Sequence, residues 1–330
     1  MTKVIEAEAL TKIYNRKIRA VDGITFDVDE GRLFGFLGPN GAGKTTTIKI
    51  LTTLASITSG RASVLGYDVS KNPQMVRESI GIVPQDLTID NELKGIENLM
   101  LAAKLYHVPN SVAKERAKEL LELVEIQDSA QRLVSTYSGG MRKRLELIVG
   151  LIHEPKLLFM DEPTLGLDVN TRKVIWDYIR TLNKEKDVTI FLTTHYLEEA
   201  DALCDMTVII DRGKIRAQGS PQELKEIIGG EILAIELSVE KDLTDFFSSV
   251  DGVKNVERTG VNYAIRLVEA PDVIPTIIEG IYAKGAKIKT ISCSKPSLDQ
   301  VFLEVTGKEL GEEETAQAAM RRADILQRRG

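Results

Sequence analysis

Residues 38–45 read GPNGAGKT, with the apolar run RLFGFLG before them and the periodic segment TIKILTTL after them. A glycine-rich turn between a buried strand and a helix admits few folds. It calls for a strand covered on both faces and a helix whose first turn faces a ligand. The octet fits G-x-x-x-x-G-K-[ST], in which glycines let successive backbone N–H groups turn inward around phosphate oxygens. The helix that follows adds the positive end of its dipole. Gly38, Pro39, Asn40, Gly41, Ala42, Gly43, Lys44, Thr45 and Thr46 are therefore candidate nucleotide contacts. Lys44 is placed to reach the β- and γ-phosphates, and the Thr45 hydroxyl suits Mg²⁺. The loop specifies a nucleoside triphosphate and no more. A guanine reader would also carry N-K-x-D, and the nearest match, NKEK at 183–186, has Lys186 where the Asp belongs.

The rest of the pattern supplies the architecture. VIEAEAL and ITFDVDE alternate apolar and polar positions, which predicts two antiparallel strands near the start. Residues 86–152 are helical in character. Within them SVAKERAKELLELVEI places Val112, Ala117, Leu120, Leu121 and Val124 toward one face. KLLFMDEP and VTIFLTTH read as buried strands, each followed by a helix, and Asp168 is a candidate N-cap. This alternation predicts an α/β core with a mixed, largely parallel sheet, joined by an antiparallel β subdomain and a helical subdomain. SPQE at 220–223 is a capping box with proline at the first helical position. Gly229-Gly230 then marks a boundary, giving domains 1–229 and 230–307. The second domain reads βαββαβ, a ferredoxin-like α+β order. SLDQ at 297–300 opens its last helix, and residues 308–330 read as a flexible or helical tail.

Two adjacent acids end the strand LLFMDE, residues 157–162. Neighbours on a strand face opposite sides, so Asp161 and Glu162 are free to do different work. Asp161 is placed to hold Mg²⁺ and Glu162 to orient or deprotonate an attacking water. Alone, the pair reads equally as a strand ending in solvated acids. His195 ends VTIFLTTH, a candidate neighbour of that strand, so its imidazole would open on the same crevice. Gln85, in GIVPQD, carries little signal by itself.

A second glycine-bearing helix start, YSGGM at 137–141, completes the set. Together these motifs resemble the ATP-binding subunit of an ATP-binding-cassette (ABC) transporter over about residues 3–228. In that resemblance Tyr14 stands where an aromatic stacks on adenine, and GPNGAGKT is the Walker A loop. Gln85 is the Q-loop residue, with a role toward Mg²⁺ and catalysis. YSGGM occupies the signature position, FMDE is Walker B, GLD at 166–168 is the D-loop, and His195 is the switch histidine. Tyr137 replaces the usual leucine of the signature, Met141 its frequent glutamine, and Val169 a common proline. Residues 231–307 look like the extra C-terminal domain of the daunorubicin-resistance-type branch.

The resemblance implies a mechanism and partners. Two copies would face head to tail and sandwich two ATP molecules with Mg²⁺. Ser138, Gly139 and Gly140 of one copy would meet the γ-phosphate held by the other, near the D-loop Asp168. The physics agrees: a capping serine, glycines that permit close approach and a helix N-terminus all favour an anion. Separate transmembrane permease subunits would be driven by the cycle. The expected place is thus the cytoplasmic face of a membrane. The 86–152 region and Gln85 would touch the permease. Drugs or other hydrophobic compounds would be the exported class. The C-terminal domain either regulates or strengthens dimerisation or is only a packing appendage; βαββαβ sheets offer surfaces and edges for pairing, which favours the first reading.

The alternative is a soluble ABC-type ATPase working on nucleic acid or ribosomes. Such proteins carry a long coiled-coil insert or two fused cassettes, and this chain has one cassette and a short helical insert. The net charge of −6 gives no global attraction to nucleic acid. MTKVIEAEAL carries acids where a secretory leader would have its apolar core. No apolar run approaches the roughly 18 residues of a membrane span. Cys204 and Cys293 lack metal-type spacing and read as inert thiols.

Overall fold

The computed structural model describes residues 2–268 and 270–307. The chain opens with β1 (Lys3–Tyr14) and β2 (Ile18–Asp29), which pair antiparallel as their alternation predicts. Next comes β3 (Leu33–Leu37), buried at all five positions, as a doubly covered strand must be. α1 (Lys44–Leu51) follows the glycine-rich turn. β4 (Ser59–Val64) and β5 (Tyr67–Asp68) then extend the first sheet to the order β2-β1-β4-β5. The sequence did not announce these two strands, since SGRASV buries only Ala62 and Val64. α2 (Pro73–Ser79) leads into β6 (Ile80–Val83).

α3 (Gly95–Leu105), α4 (Asn110–Leu123) and α5 (Gly139–Val149) make the helical segment. Ala113, Ala117, Leu121 and Val124 are the buried positions along and just beyond α4. Val112 and Leu120, expected inside, are only half-buried. The face is centred on the i, i+4, i+8 row through Ala113, and a small residue there lets helices approach closely.

β7 (Leu157–Asp161), α6 (Val169–Lys186), β8 (Thr189–Thr194), α7 (Leu197–Leu203), β9 (Met206–Asp211) and β10 (Lys214–Gly219) complete the first unit. The main sheet runs β10-β9-β3-β8-β7-β6, parallel throughout except for the β10–β9 edge. Its core is aromatic. Phe26 of β2 reaches Phe34, Phe36 and Phe191 at ring-centroid distances of 5.4–6.1 Å, and Phe159 lies 5.4 Å from Phe191. Each such pair is worth about 0.5–1.5 kcal/mol beyond its buried area. The antiparallel sheet is thereby bolted to the strands that carry the candidate site. Cys204 is buried beside β3, and burial pushes its thiol well above the ordinary value. That is the setting expected of an inert thiol, whereas Cys293 is exposed.

The chain divides into two units between Pro221 and Gln222. That is one helix, α8 (Pro221–Ile228), before the glycine pair singled out in the sequence. The second unit contains β11 (Glu231–Leu237), α9 (Thr244–Ser249), β12 (Val253–Thr259), β13 (Asn262–Leu267), α10 (Ala270–Ala283), β14 (Ile288–Ser294) and α11 (Leu298–Thr306). Its antiparallel sheet has the order β12-β13-β11-β14, the ferredoxin-like arrangement. Leu233, Ile235, Tyr263 and Ile265 from the strands pack with Phe247, Ile277 and Ile281 from the helices. Ser297 and Gln300 form the expected capping box of α11, and Gly307 ends it in the left-handed region. The tail at 308–330 lies outside the described residues. Among the described residues no helix is long and apolar enough to cross a membrane.

Candidate nucleotide site

The site gathers at the carboxyl ends of β3, β7 and β8, where open α/β sheets place their ligands. Gly43 is the N-cap of α1, with φ at +113°, a conformation that a residue with a Cβ rarely adopts. A Cβ there would also fall 2.5 Å from the carbonyl oxygen of Ala20. The β1–β2 hairpin therefore abuts the loop, and Tyr14 closes that hairpin opposite Ile18. The Tyr14 ring carries the Lys12 ammonium 5.0 Å from its centroid. The Gly38 N–H donates to the Thr194 carbonyl at 3.3 Å, which ties the loop to the end of β8.

Lys44 is buried. Its Nζ donates to the carbonyls of Gly38 at 2.7 Å and Pro39 at 3.2 Å, and lies 3.1 Å from Glu162 Oε1. Thr45 Oγ1 lies 3.3 Å from Asp161 Oδ1. Thr193 Oγ1 donates to the same oxygen at 2.5 Å.

The two acids diverge for a reason other than strand alternation. β7 ends at Asp161, and Glu162 takes φ +51°, in the left-handed region. Its N–H donates to Thr193, 3.1 Å from the carbonyl and 3.2 Å from the hydroxyl. This turn aims the carboxylate back at the loop. Oε1 meets Lys44 and Oε2 lies 2.6 Å from His195 Nδ1. A buried, unpaired carboxylate would cost several kcal/mol, but here both oxygens are paired. Burial pushes the carboxyl pKa up, but the His195 bond and the Lys44 charge outweigh it. Glu162 is held below the usual carboxylate range.

His195 follows β8 directly, and its ring packs on Tyr196 at 4.1 Å, which in turn lies 4.2 Å from the Arg172 guanidinium. Asp168 caps α6, accepting from the N–H groups of Asn170 and Thr171 at 3.1 Å and from Thr171 Oγ1 at 2.6 Å. The Thr171 and Asn170 bonds hold its carboxyl below the ordinary value.

The signature turn is the start of α5. Ser138 caps it, accepting from the Met141 N–H at 3.3 Å. A Cβ on Gly140 would fall 2.9 Å from Thr171 Cγ2, so the turn sits against the helix that Asp168 caps. Gly139 has open space around it. Tyr137 is buried, and its hydroxyl donates to the Ser129 carbonyl at 2.6 Å, an anchor that leucine could not supply. Gln85 is exposed, two residues beyond β6. The structure thus joins Lys44, Glu162 and His195 by direct contacts, and Thr45 to Asp161, with Thr193 bridging the two sets. Among the described residues, the bonds made by Ser138 and the close contact at Gly140 stay within 138–142 and at Thr171.

Sequence reasoning missed Thr193, which is fully buried and touches both acids. Its signal was a hydroxyl inside an apolar strand. It also missed Glu199 of α7, buried and bonded to Thr164 at 2.8 Å and Trp176 at 2.9 Å. Burial raises the Glu199 pKa, and bonds from Thr194, Thr164 and Trp176 hold it back only in part.

Comparison with known proteins agrees with this geometry. The ABC transporter family profile matches residues 21–165, and that of the DrrA1-3-like ATP-binding protein C-terminal domain matches residues 219–306. The chain is 38% identical over 319 residues to the daunorubicin resistance ATP-binding protein DrrA2 of Streptomyces coeruleorubidus, covering 96% of this chain and 98% of that protein. It is 35% identical to the linearmycin resistance ATP-binding protein LnrL of Bacillus subtilis, covering 93% and 99%. It is 36% identical to the Nod factor export ATP-binding protein I of a Rhizobium species, covering 94% and 99%. Among solved structures, the ATP-binding subunit of an ABC transporter superposes with a TM-score of 0.62 at 29% identity, covering 68% of this chain and 93% of that one.

Proposed function

The chain belongs to the ATP-binding subunits of ABC transporters, and from that premise we propose that it hydrolyses ATP to drive export through separate membrane-spanning permease subunits. The observation that carries this reading is the Glu162 carboxylate held between Lys44 and His195 beside a phosphate loop. Glu162 is ionised at neutral pH, so it can orient a water and take its proton. His195, bonded to Glu162, positions that carboxylate and offers its ring to the γ-phosphate. Lys44 exchanges its carbonyl partners for the β- and γ-phosphates, and Tyr14 stacks on adenine.

Thr45, Asp161 and Gln85 are the proposed Mg²⁺ holders. A hydroxyl and a carboxylate oxygen 3.3 Å apart at the loop are hard oxygen donors of the kind Mg²⁺ takes. When bound, the ion would neutralise charge on the phosphates.

Ser138, Gly139 and Gly140 would complete the site of a second copy, with Asp168 at the same interface. The exposed position of Ser138 and the open space at Gly139 suit a partner's phosphate. Gln85 and the helical segment would face the permease, and the subunit would then sit on the cytoplasmic face of the membrane. The cargo would be drugs or other hydrophobic compounds, in keeping with relatives named for daunorubicin and linearmycin resistance and for Nod factor export. The second unit would strengthen the dimer. A chain ending at 229 should then need more ATP to dimerise, and unchanged dimerisation would remove that role.

Purification from solubilised membranes tests the whole reading. Recovery with a polytopic membrane protein, and phosphate release from ATP, are expected. Recovery with nucleic acid or ribosomes instead would overturn it.

A further inference from the structure

α5 carries two buried charged residues that the proposed chemistry does not use, Lys143 and Glu146. Three residues apart, they share one helix face. Glu146 accepts from the N–H groups of Thr88 at 2.9 Å and Ile89 at 3.1 Å through Oε2, and from the Thr88 hydroxyl at 2.5 Å through Oε1. Lys143 Nζ lies 3.3 Å from the Pro84 carbonyl and 3.5 Å from that of Gln85. The acid thus holds the N–H groups, and the base the carbonyls, of one short segment with Gln85 in it. Glu146 has no exposed role to explain it, since it is almost fully buried.

The same stretch of chain is tied a second time. Beyond Ile89, the Asn91 and Leu93 carbonyls accept from the N–H groups of Ser135 at 3.0 Å and Val134 at 2.9 Å. The Ile96 N–H donates to the Ala130 carbonyl at 2.9 Å. Residues 130–135 run directly into the signature turn at Ser138, and Lys143 and Glu146 follow it on α5. The Gln85 segment is therefore held from both flanks of that turn. Several short bonds anchored on the buried Glu146 and Val134 do not stretch gradually together, so the two parts have to shift together or break the ties.

We propose that Glu146 and Lys143 are positioning residues that lock the Gln85 segment to the signature helix, so that Gln85 and Ser138–Gly140 move as one body. Phosphate bound by the signature turn of one copy would then fix where that copy's own Gln85 stands. This rests on the roles proposed above for Gln85 and for the signature turn.

The test uses the full chain and steady-state ATP hydrolysis by Gln85→Ala, Glu146→Ala, Glu146→Gln, Thr88→Val and the double variant Gln85→Ala/Glu146→Ala. Glu146→Ala should lower kcat about tenfold, the effect of losing charge-assisted bonds, with little change in KM. The double variant should be no slower than Gln85→Ala. Glu146→Gln should recover most of the rate, because an amide oxygen still accepts from both N–H groups. Thr88→Val, at an exposed residue, loses one bond without threatening the fold and should cost a few-fold. Multiplying losses in the double variant, or an unchanged rate in Thr88→Val and Glu146→Ala alike, would overturn the coupling. A wild-type rate in Gln85→Ala would instead sink the role assigned to Gln85. Amide exchange then decides the coupling by itself. ATP should slow exchange at 84–89 together with 138–143 in the Glu162→Gln background, and protection of either stretch without the other would refute it.

Discussion

Oε2 of Glu162 lies 2.6 Å from Nδ1 of His195, across the gap between β7 and β8. The other oxygen of the same carboxylate meets Lys44 at 3.1 Å, so one acid joins three sequence motifs. Glu162→Gln should remove the proton acceptor while keeping the shape of the site. General-base loss typically costs about 10²–10⁴-fold in rate, so kcat should fall by at least 10²-fold. ATP should remain bound, and size-exclusion chromatography with ATP should show a dimer. Monomer alone under those conditions would contradict the shared site.

Ser138→Arg places a long cation at an exposed N-cap that faces no group of its own phosphate loop among the described bonds. Nucleotide binding by the monomer, followed by equilibrium dialysis, should be unchanged. Hydrolysis should fall to background, because the half-site offered to a second copy is blocked. Turnover at the wild-type rate would refute the head-to-tail arrangement.

Thr193→Val removes the hydroxyl that donates to Asp161 and accepts from the Glu162 N–H, without changing side-chain volume greatly. Partners that orient a metal-holding carboxylate are typically worth about 10–100-fold in metal affinity. The Mg²⁺ concentration for half-maximal hydrolysis should rise by about that factor, while ATP binding measured without Mg²⁺ stays constant. An unaltered Mg²⁺ requirement would remove Thr193 from the site.

Glu199 predicts a pH dependence of stability. Its folded pKa is raised by burial, so its contribution is full below the unfolded value, near 4.3. That contribution is lost as pH rises through the folded value. Glu199→Gln keeps an acceptor for Thr164 and Trp176 but does not titrate. The stability of wild type minus that of Glu199→Gln, from urea unfolding at a series of pH values, should therefore decline as pH rises from about 4. A difference that grows with pH would mean that the carboxylate is stabilised in its ionised form.

Much of this molecule is legible along the chain. GPNGAGKT, the acids after LLFM, YSGGM and the histidine after VTIFLTT are local patterns. Each chemistry depends on neighbours in sequence: a turn, a helix start, a strand end. The ferredoxin-like order of the second unit follows from hydrophobic periodicity in the same way. Local pattern also misleads where backbone geometry departs from the regular element. Strand alternation predicts that Asp161 and Glu162 diverge, and they do, but through a left-handed residue just past the strand.

The sequence by itself determined the ligand class, the family and most of the order of elements, β4 and β5 excepted, because these depend on spacings of a few residues. Tertiary structure alone decided which side chains share a charge. Thr193 reaches Asp161 only because β8 lies beside β7, and Glu162 reaches Lys44 only because its φ is positive. Glu146 finds the Thr88 and Ile89 amides, 58 and 57 residues away, only because α5 packs against the segment after β6. Hydrogen bonds require partners within about 3.5 Å. No periodicity in a chain reports distances of that size between residues so far apart along it.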